Sequence, residues 1–188
     1  MDDGSERRKS FILFVGGALL YAAAAALCVA GRIEGGGHLL ELLTPLFGLP
    51  YLLARRRGGW ALAAYFILLL PAFHFAAIQV AIKTQSWPEG SLFLAGMAGG
   101  LVGAILSFAA LRVLRLNRPG PALGTILAAI VILVFLGGVG VWQMNFLKDP
   151  ALRDYGLLLS LYLPWQIAFG FFLAKLLGPV PAPGEPRS

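Results

Sequence analysis

Residues Trp60–Ile82 read WALAAYFILLLPAFHFAAIQVAI, twenty-three positions without a charge, with Pro71 near the middle and His74 and Gln79 beyond it. At ~1.5 Å of rise per residue such a run crosses the ~30 Å hydrocarbon core of a bilayer with a little to spare. Lipid offers no hydrogen-bond partner, so the proline-freed carbonyl and the two polar side chains need protein neighbours. The rest of the chain supplies them. Of its 188 residues 59% are hydrophobic and only 13% charged, and the mean hydropathy is +0.80. Soluble domains carry about 25% charged residues, so the composition alone defines an integral membrane protein, and uncharged runs of helix-spanning length make it all-α.

Working outward, five further apolar segments surround the central one. The membrane domain, 11–177, divides into spans at about 11–30, 38–54, 60–82, 91–111, 122–143 and 155–177, each ended by charged or turn-forming residues. Residues 1–10 form a charged leading segment. Residues 178–188 hold four prolines and little to pack, which predicts a disordered tail. The second span is the weakest, since it carries His38 and Glu41 at one end and Pro45 and Pro50 inside. Its crossing is argued from charge. With six spans and an inside N-terminus, 11 of the 15 Lys and Arg residues face the cytoplasm, and only Arg32, Lys83, Lys148 and Arg153 face out. Were the second segment not to cross, the later loops would flip and the count would become 6 inside against 9 outside. The positive-inside rule therefore predicts a six-transmembrane-helix bundle with both termini cytoplasmic. Trp60, Trp87 and Trp142 fall at predicted interfaces, whereas Trp165 does not. The net charge of +6 is accounted for by these cytoplasmic flanks and needs no nucleic acid. A multi-pass protein of a bacterial cytoplasmic (inner) membrane is the expected setting.

Small residues mark where helices approach closely. Ala18, Ala22, Ala26 and Ala30 recur every fourth position in the first span, and Gly96, Gly100 and Gly103 do similar work in the fourth. In lipid, where hydrophobicity does not drive helices together, such faces allow backbone contact and van der Waals packing. They serve either the bundle itself or a membrane protein partner or second copy. Leu70-Pro71 and Leu163-Pro164 occupy similar places in the third and sixth spans, as two oppositely oriented three-span halves would place them.

The candidate ligand-binding residues are His74, Gln79, Gln166, His38 and Glu41. Measured from Lys83, His74 lies ~13 Å deep, and Gln166 lies ~20 Å from Arg153. Both follow a proline, and both should face inward and towards each other. They line a ligand or proton site, or they make interhelical hydrogen bonds worth ~1 kcal/mol each. Glu41 and His38, three apart, are the one acid–base pair on a helical face, although a carboxylate at a helix start is also favoured by the helix dipole. No enzyme constellation is present: there is no GxSG, no HExxH and no phosphate-cradling glycine loop. A single cysteine, Cys28, excludes an intramolecular disulfide or a cysteine-rich metal site, and the unequal depths of His38 and His74 argue against bis-histidine haem. No cofactor and no metal are expected.

The length, six spans, inside termini and alanine ridge of the first span resemble, at the level of architecture, the substrate-capture subunits of energy-coupling-factor vitamin importers. That resemblance implies a solute site opening to the outer face. The leading expectation is thus a small solute-binding or transport component with its site in the outer half of the bundle. The alternative is an accessory or assembly subunit of a larger membrane complex, docked through its small-residue faces.

Overall fold

In a computed structural model, residues 3–31, 41–55, 59–87, 91–118, 123–148 and 155–177 are described. They form six helices: α1 (Asp3–Ala30), α2 (Pro45–Ala54), α3 (Gly59–Gln85), α4 (Leu92–Val113), α5 (Leu123–Phe146, its last turn a 3-10 turn) and α6 (Tyr155–Leu176). Among the described residues there is no sheet, only an isolated bridge between Asn117 and Leu177. Five of the helices are long and apolar enough to cross a membrane. The exception is α2, whose 10 residues rise only ~15 Å, about half of a hydrocarbon core. His38, predicted at the start of the second span, and the proline-rich tail lie outside the described residues.

Each helix packs antiparallel against the next, and α6 closes the circuit onto α1. At the α1–α2 crossing, Phe14 stacks on Phe47 and Tyr51 (ring centroids 5.4 and 4.6 Å), and a Cβ on Gly17 would run into the Phe47 carbonyl. Gly48 of α2 meets Phe66 of α3 in the same way. Since α2 runs against both, α1 and α3 begin at the same end of the bundle.

That shared end is basic. Arg55 reaches back to Glu6 (3.5 Å) and lies over the Tyr51 ring, while Arg118 donates from Nε and from its backbone N–H to the carbonyls of Leu177 and Leu176, both at 2.8 Å. The second pair of bonds ties the end of α4 to the end of α6. The α4 terminus is a Schellman cap: Leu116 N–H returns to Leu111 O and Arg115 N–H to Arg112 O, with Arg115 at φ 53° where a glycine is usual. At its other end Ser91 caps α4 by accepting from the Leu94 N–H at 3.1 Å.

The outside of the bundle is apolar all round. Leu19, Leu27, Leu68, Phe75, Ile105, Val131 and Phe135, taken from four helices, are all exposed. A soluble monomer does not display so continuous a hydrophobic surface, which identifies an apolar helical bundle in contact with lipid. Trp60, Trp87 and Trp142 are exposed at helix ends, where amphipathic rings sit at headgroup level. The core is aromatic and centres on Phe14, Phe47, Phe66, Phe108 and Phe169.

The two proline-containing helices share one irregularity. In α3 residues Tyr65–Leu69, and in α6 residues Leu158–Tyr162, form a π-helical turn directly ahead of the Leu-Pro pair. Leu70 N–H bonds to Tyr65 O and Leu163 N–H to Leu158 O, each five residues back. A proline cannot donate, and its ring crowds the carbonyl four residues earlier. Widening the turn by one residue relieves that clash. In α6 the Ser160 hydroxyl adds a 2.6 Å bond to the Gly156 carbonyl, four residues back.

Candidate functional site

Between α3, α4, α5 and α6, with the start of α2 across one side, lies a cavity of about 130 Å3. Its wall on α4 is carved by glycine. Gly96, Gly99, Gly100 and Gly103 all line it, and the first three also hold α4 close to its neighbours. A Cβ on Gly96 would strike the Gly137 carbonyl, one on Gly100 would stand 2.8 Å from Leu133 O, and one on Gly99 3.0 Å from Ala77 O. Gly103 differs. A Cβ there would meet Ala77 and Trp165 at 3.5 and 3.7 Å, ordinary van der Waals contact. Its missing methyl leaves room and serves no crossing.

The polar groups of the cavity come from the chain around α2 and from three long helices: Thr44, His74, Ser107, Tyr162 and Gln166. His74 projects from α3 one turn after Pro71, and its Nδ1 is 2.8 Å from Thr44 Oγ1 in a hydrogen bond. The Tyr162 ring meets the imidazole edge-on, with centroids 5.2 Å apart. The other imidazole nitrogen, Nε2, is sealed from solvent and has no protein partner among the described residues. On α6, two residues after Pro164, Gln166 is only 6% exposed and its Oε1 likewise has no protein partner there. Buried polar atoms are nearly always hydrogen-bonded, and each exception asks for a reason. Here two exceptions belong to residues lining one hollow. Such a hollow holds about four waters at ~30 Å3 each, or one small molecule: an engineered apolar cavity of about 150 Å3 in another protein takes up benzene.

Of the five candidate binding residues, the structure brings His74 and Gln166 to one cavity. Gln79 is partly buried on α3 but is not part of the lining, which passes along that helix through Ala77, Ile78 and Ala81. Glu41 is buried ahead of α2, within electrostatic reach of the Tyr21 and Tyr162 hydroxyls, and also stands outside the lining. His38 lies outside the described residues. The helix-packing residues divide too. Gly96 and Gly100 sit at the α4–α5 crossing, and Gly103 faces the hollow. Ala18 is completely buried in the core, while Ala22 and Ala26 are half-buried against the small cluster of Tyr21, Ala25 and Leu158.

Several lining residues carry no sequence signal. Thr44 and Ser107 are ordinary small hydroxyl residues, and Trp165 stands out only as a tryptophan away from the interfaces. The structure packs Trp165 against Phe169, with tilted rings whose centroids are 5.1 Å apart, and places it in the cavity lining. Among the described residues no group of three His, Cys, Asp or Glu side chains converges as metal ligands would. Comparison of the chain with protein-family models, with curated proteins and with solved structures gave no match.

Proposed function

We propose that the chain is a six-span membrane protein with both termini cytoplasmic, acting as a small solute-binding or transport component whose site is the cavity at His74 and Gln166. The observation that carries this reading is the pair of buried, unpartnered polar atoms on residues lining one hollow inside an otherwise apolar bundle. Unpaired polar groups at that depth are expensive, and a solute or a file of water supplies what they lack. The cavity extends along α3 as far as Ala81, towards the end that carries Lys83 and Trp87. Under the charge rule that end is external. The volume sets a bound: drug-sized sites measure ~300–1,000 Å3, so a vitamin-sized solute does not fit the hollow as it stands. A docking subunit would want its alanine ridge uncovered, and Ala18 is already buried inside this chain.

Two measurements test the reading. With Cys28 replaced, single cysteines at Ser86 and at Ser5 report sidedness: a membrane-impermeant maleimide applied to intact cells should label the first and spare the second. The reverse pattern, or labelling of both, sinks the topology. Mass spectrometry of protein purified in mild detergent should then find a small molecule that is lost from His74→Ala. Its retention in that variant removes His74 from the site.

A further inference from the structure

Resting on the reading of the cavity as a ligand site, the geometry points to the class of the occupant: a small uncharged hydroxyl compound with an apolar body of about six heavy atoms. Charge is the first argument. Among the described residues no Asp, Glu, Lys or Arg lines the cavity, so an anion or a cation would enter without a counter-charge, which a buried site does not tolerate.

Hydrogen-bonding capacity is the second. Gln166 offers Oε1, an acceptor, to a partner that must donate. The role of His74 Nε2 depends on the Thr44 bond. If the Thr44 hydroxyl donates to Nδ1, Nε2 carries the proton and donates; if Nδ1 donates to Oγ1, Nε2 accepts. A hydroxyl both donates and accepts, so it serves either tautomer. It also serves either orientation of the Gln166 carboxamide, whose oxygen and nitrogen are told apart only by their partners. A ketone or an ether lacks the donor that Oε1 requires.

Shape is the third. The lining runs along α3 from Leu70 to Ala81, roughly 16 Å of helical rise. A volume of about 130 Å3 spread over that length is narrow and suits an unbranched chain. Gly103 helps set its volume, because a methyl there would take up part of the hollow without disturbing any helix crossing.

The test uses a series of terminal trifluoromethyl n-alkanols, from 2,2,2-trifluoroethanol to the hexanol, followed by 19F NMR on the full chain in detergent. Partition into micelles rises smoothly with length. Saturable binding to the protein should rise and then stop at a cut-off length. Gly103→Ala should move that cut-off shorter by about one carbon, the volume of the added methyl being close to that of one methylene. Gln166→Leu should weaken every bound alcohol about tenfold, the worth of one buried hydrogen bond. Gln166→Met is the second variant should leucine not fold. The isosteric anion 4,4,4-trifluorobutanoate should not compete. If the anion competes equally, or if neither Gln166 variant changes affinity while Gly103→Ala still shifts the cut-off, the ligand class is wrong and the site stands. If no alcohol binds saturably and Gly103→Ala is indistinguishable from the parent, the site falls with it.

Discussion

Where α4 crosses α5, Gly96 and Gly137 face each other, and each carbonyl fills the space that a methyl on the other would need. On α3 and α6, which border the same cavity, each helix widens into a five-residue π turn ahead of its proline. The first wall is made by bringing backbones as close as they can come, so nothing on it can move without separating the helices. The second is made by helices that carry an extra residue in one turn and have given up a backbone donor. Glycine contact supplies a fixed face, and the bulged helices carry the polar side chains that a ligand would touch. A site assembled this way has one rigid side and one side whose rotation is set by a single inserted residue.

The largest expected effect breaks the fixed face. Gly96→Val should destabilise the detergent-solubilised protein by about 3 kcal/mol in reversible unfolding, because the added atoms meet a backbone carbonyl that cannot step aside. Gly103→Ala, seven residues along the same helix, should stay within about 1 kcal/mol of the parent, since its methyl makes ordinary contacts. Equal losses from the two would abolish the distinction between crossing glycines and a cavity glycine.

Next come the bulged helices. Dropping the extra residue from the α3 turn would rotate the remainder of the helix by ~100° and carry His74 away from Thr44. If Pro71 holds the bulge, Pro71→Ala should weaken ligand binding about tenfold while raising amide-exchange protection around residue 71. Pro164→Ala should act likewise on Gln166. Unchanged binding would show that the packing of Tyr65 and Phe66, both fully buried, sets the turn in α3, and the proline merely tolerates it.

A smaller effect concerns the bond that orients the imidazole. Thr44→Val keeps the shape and removes the partner of Nδ1. It should lower stability by about 1 kcal/mol and free the His74 tautomer, visible as a change in its 15N shifts. The smallest lies far from the site. Arg115 holds a left-handed conformation at the α4 cap, so Arg115→Gly should stabilise by about 0.5–1 kcal/mol, with ligand binding untouched.

Much of the helical order can be read from sequence because each long helix contains an uncharged run of spanning length, although α1 begins at Asp3 and carries the charged residues Glu6, Arg7, Arg8 and Lys9 that precede its run. The short α2 is harder, since Pro45, Pro50 and Glu41 interrupt its hydropathy, and only the charge balance across the loops speaks for its crossing. His74 and Gln166 can be picked out because polar residues at depth, each just past a proline, must turn inward. Thr44, Ser107 and Trp165 cannot. Helices that are apolar on every side give no periodicity from which to infer which stripe faces the interior, and rotation then depends on packing. The π turns are hidden for a related reason. A proline in the sequence announces a disturbed turn and leaves open whether the helix kinks, breaks or takes in an extra residue. Gly17 is inconspicuous beside the more regular alanines, although it marks where α1 and α2 touch.

The space at Gly103 has one further consequence, on the scale of codons. Every glycine codon becomes an alanine codon through a change of its second base, and here the new methyl would find a berth of the right size. A better-filled interior is therefore within reach of the mildest genetic change, and steric exclusion does not stand in its way. Stability and vacancy pull in opposite directions at this residue. Which of them a cell rewards can be read by letting the parent gene and one encoding Gly103→Ala compete in growth.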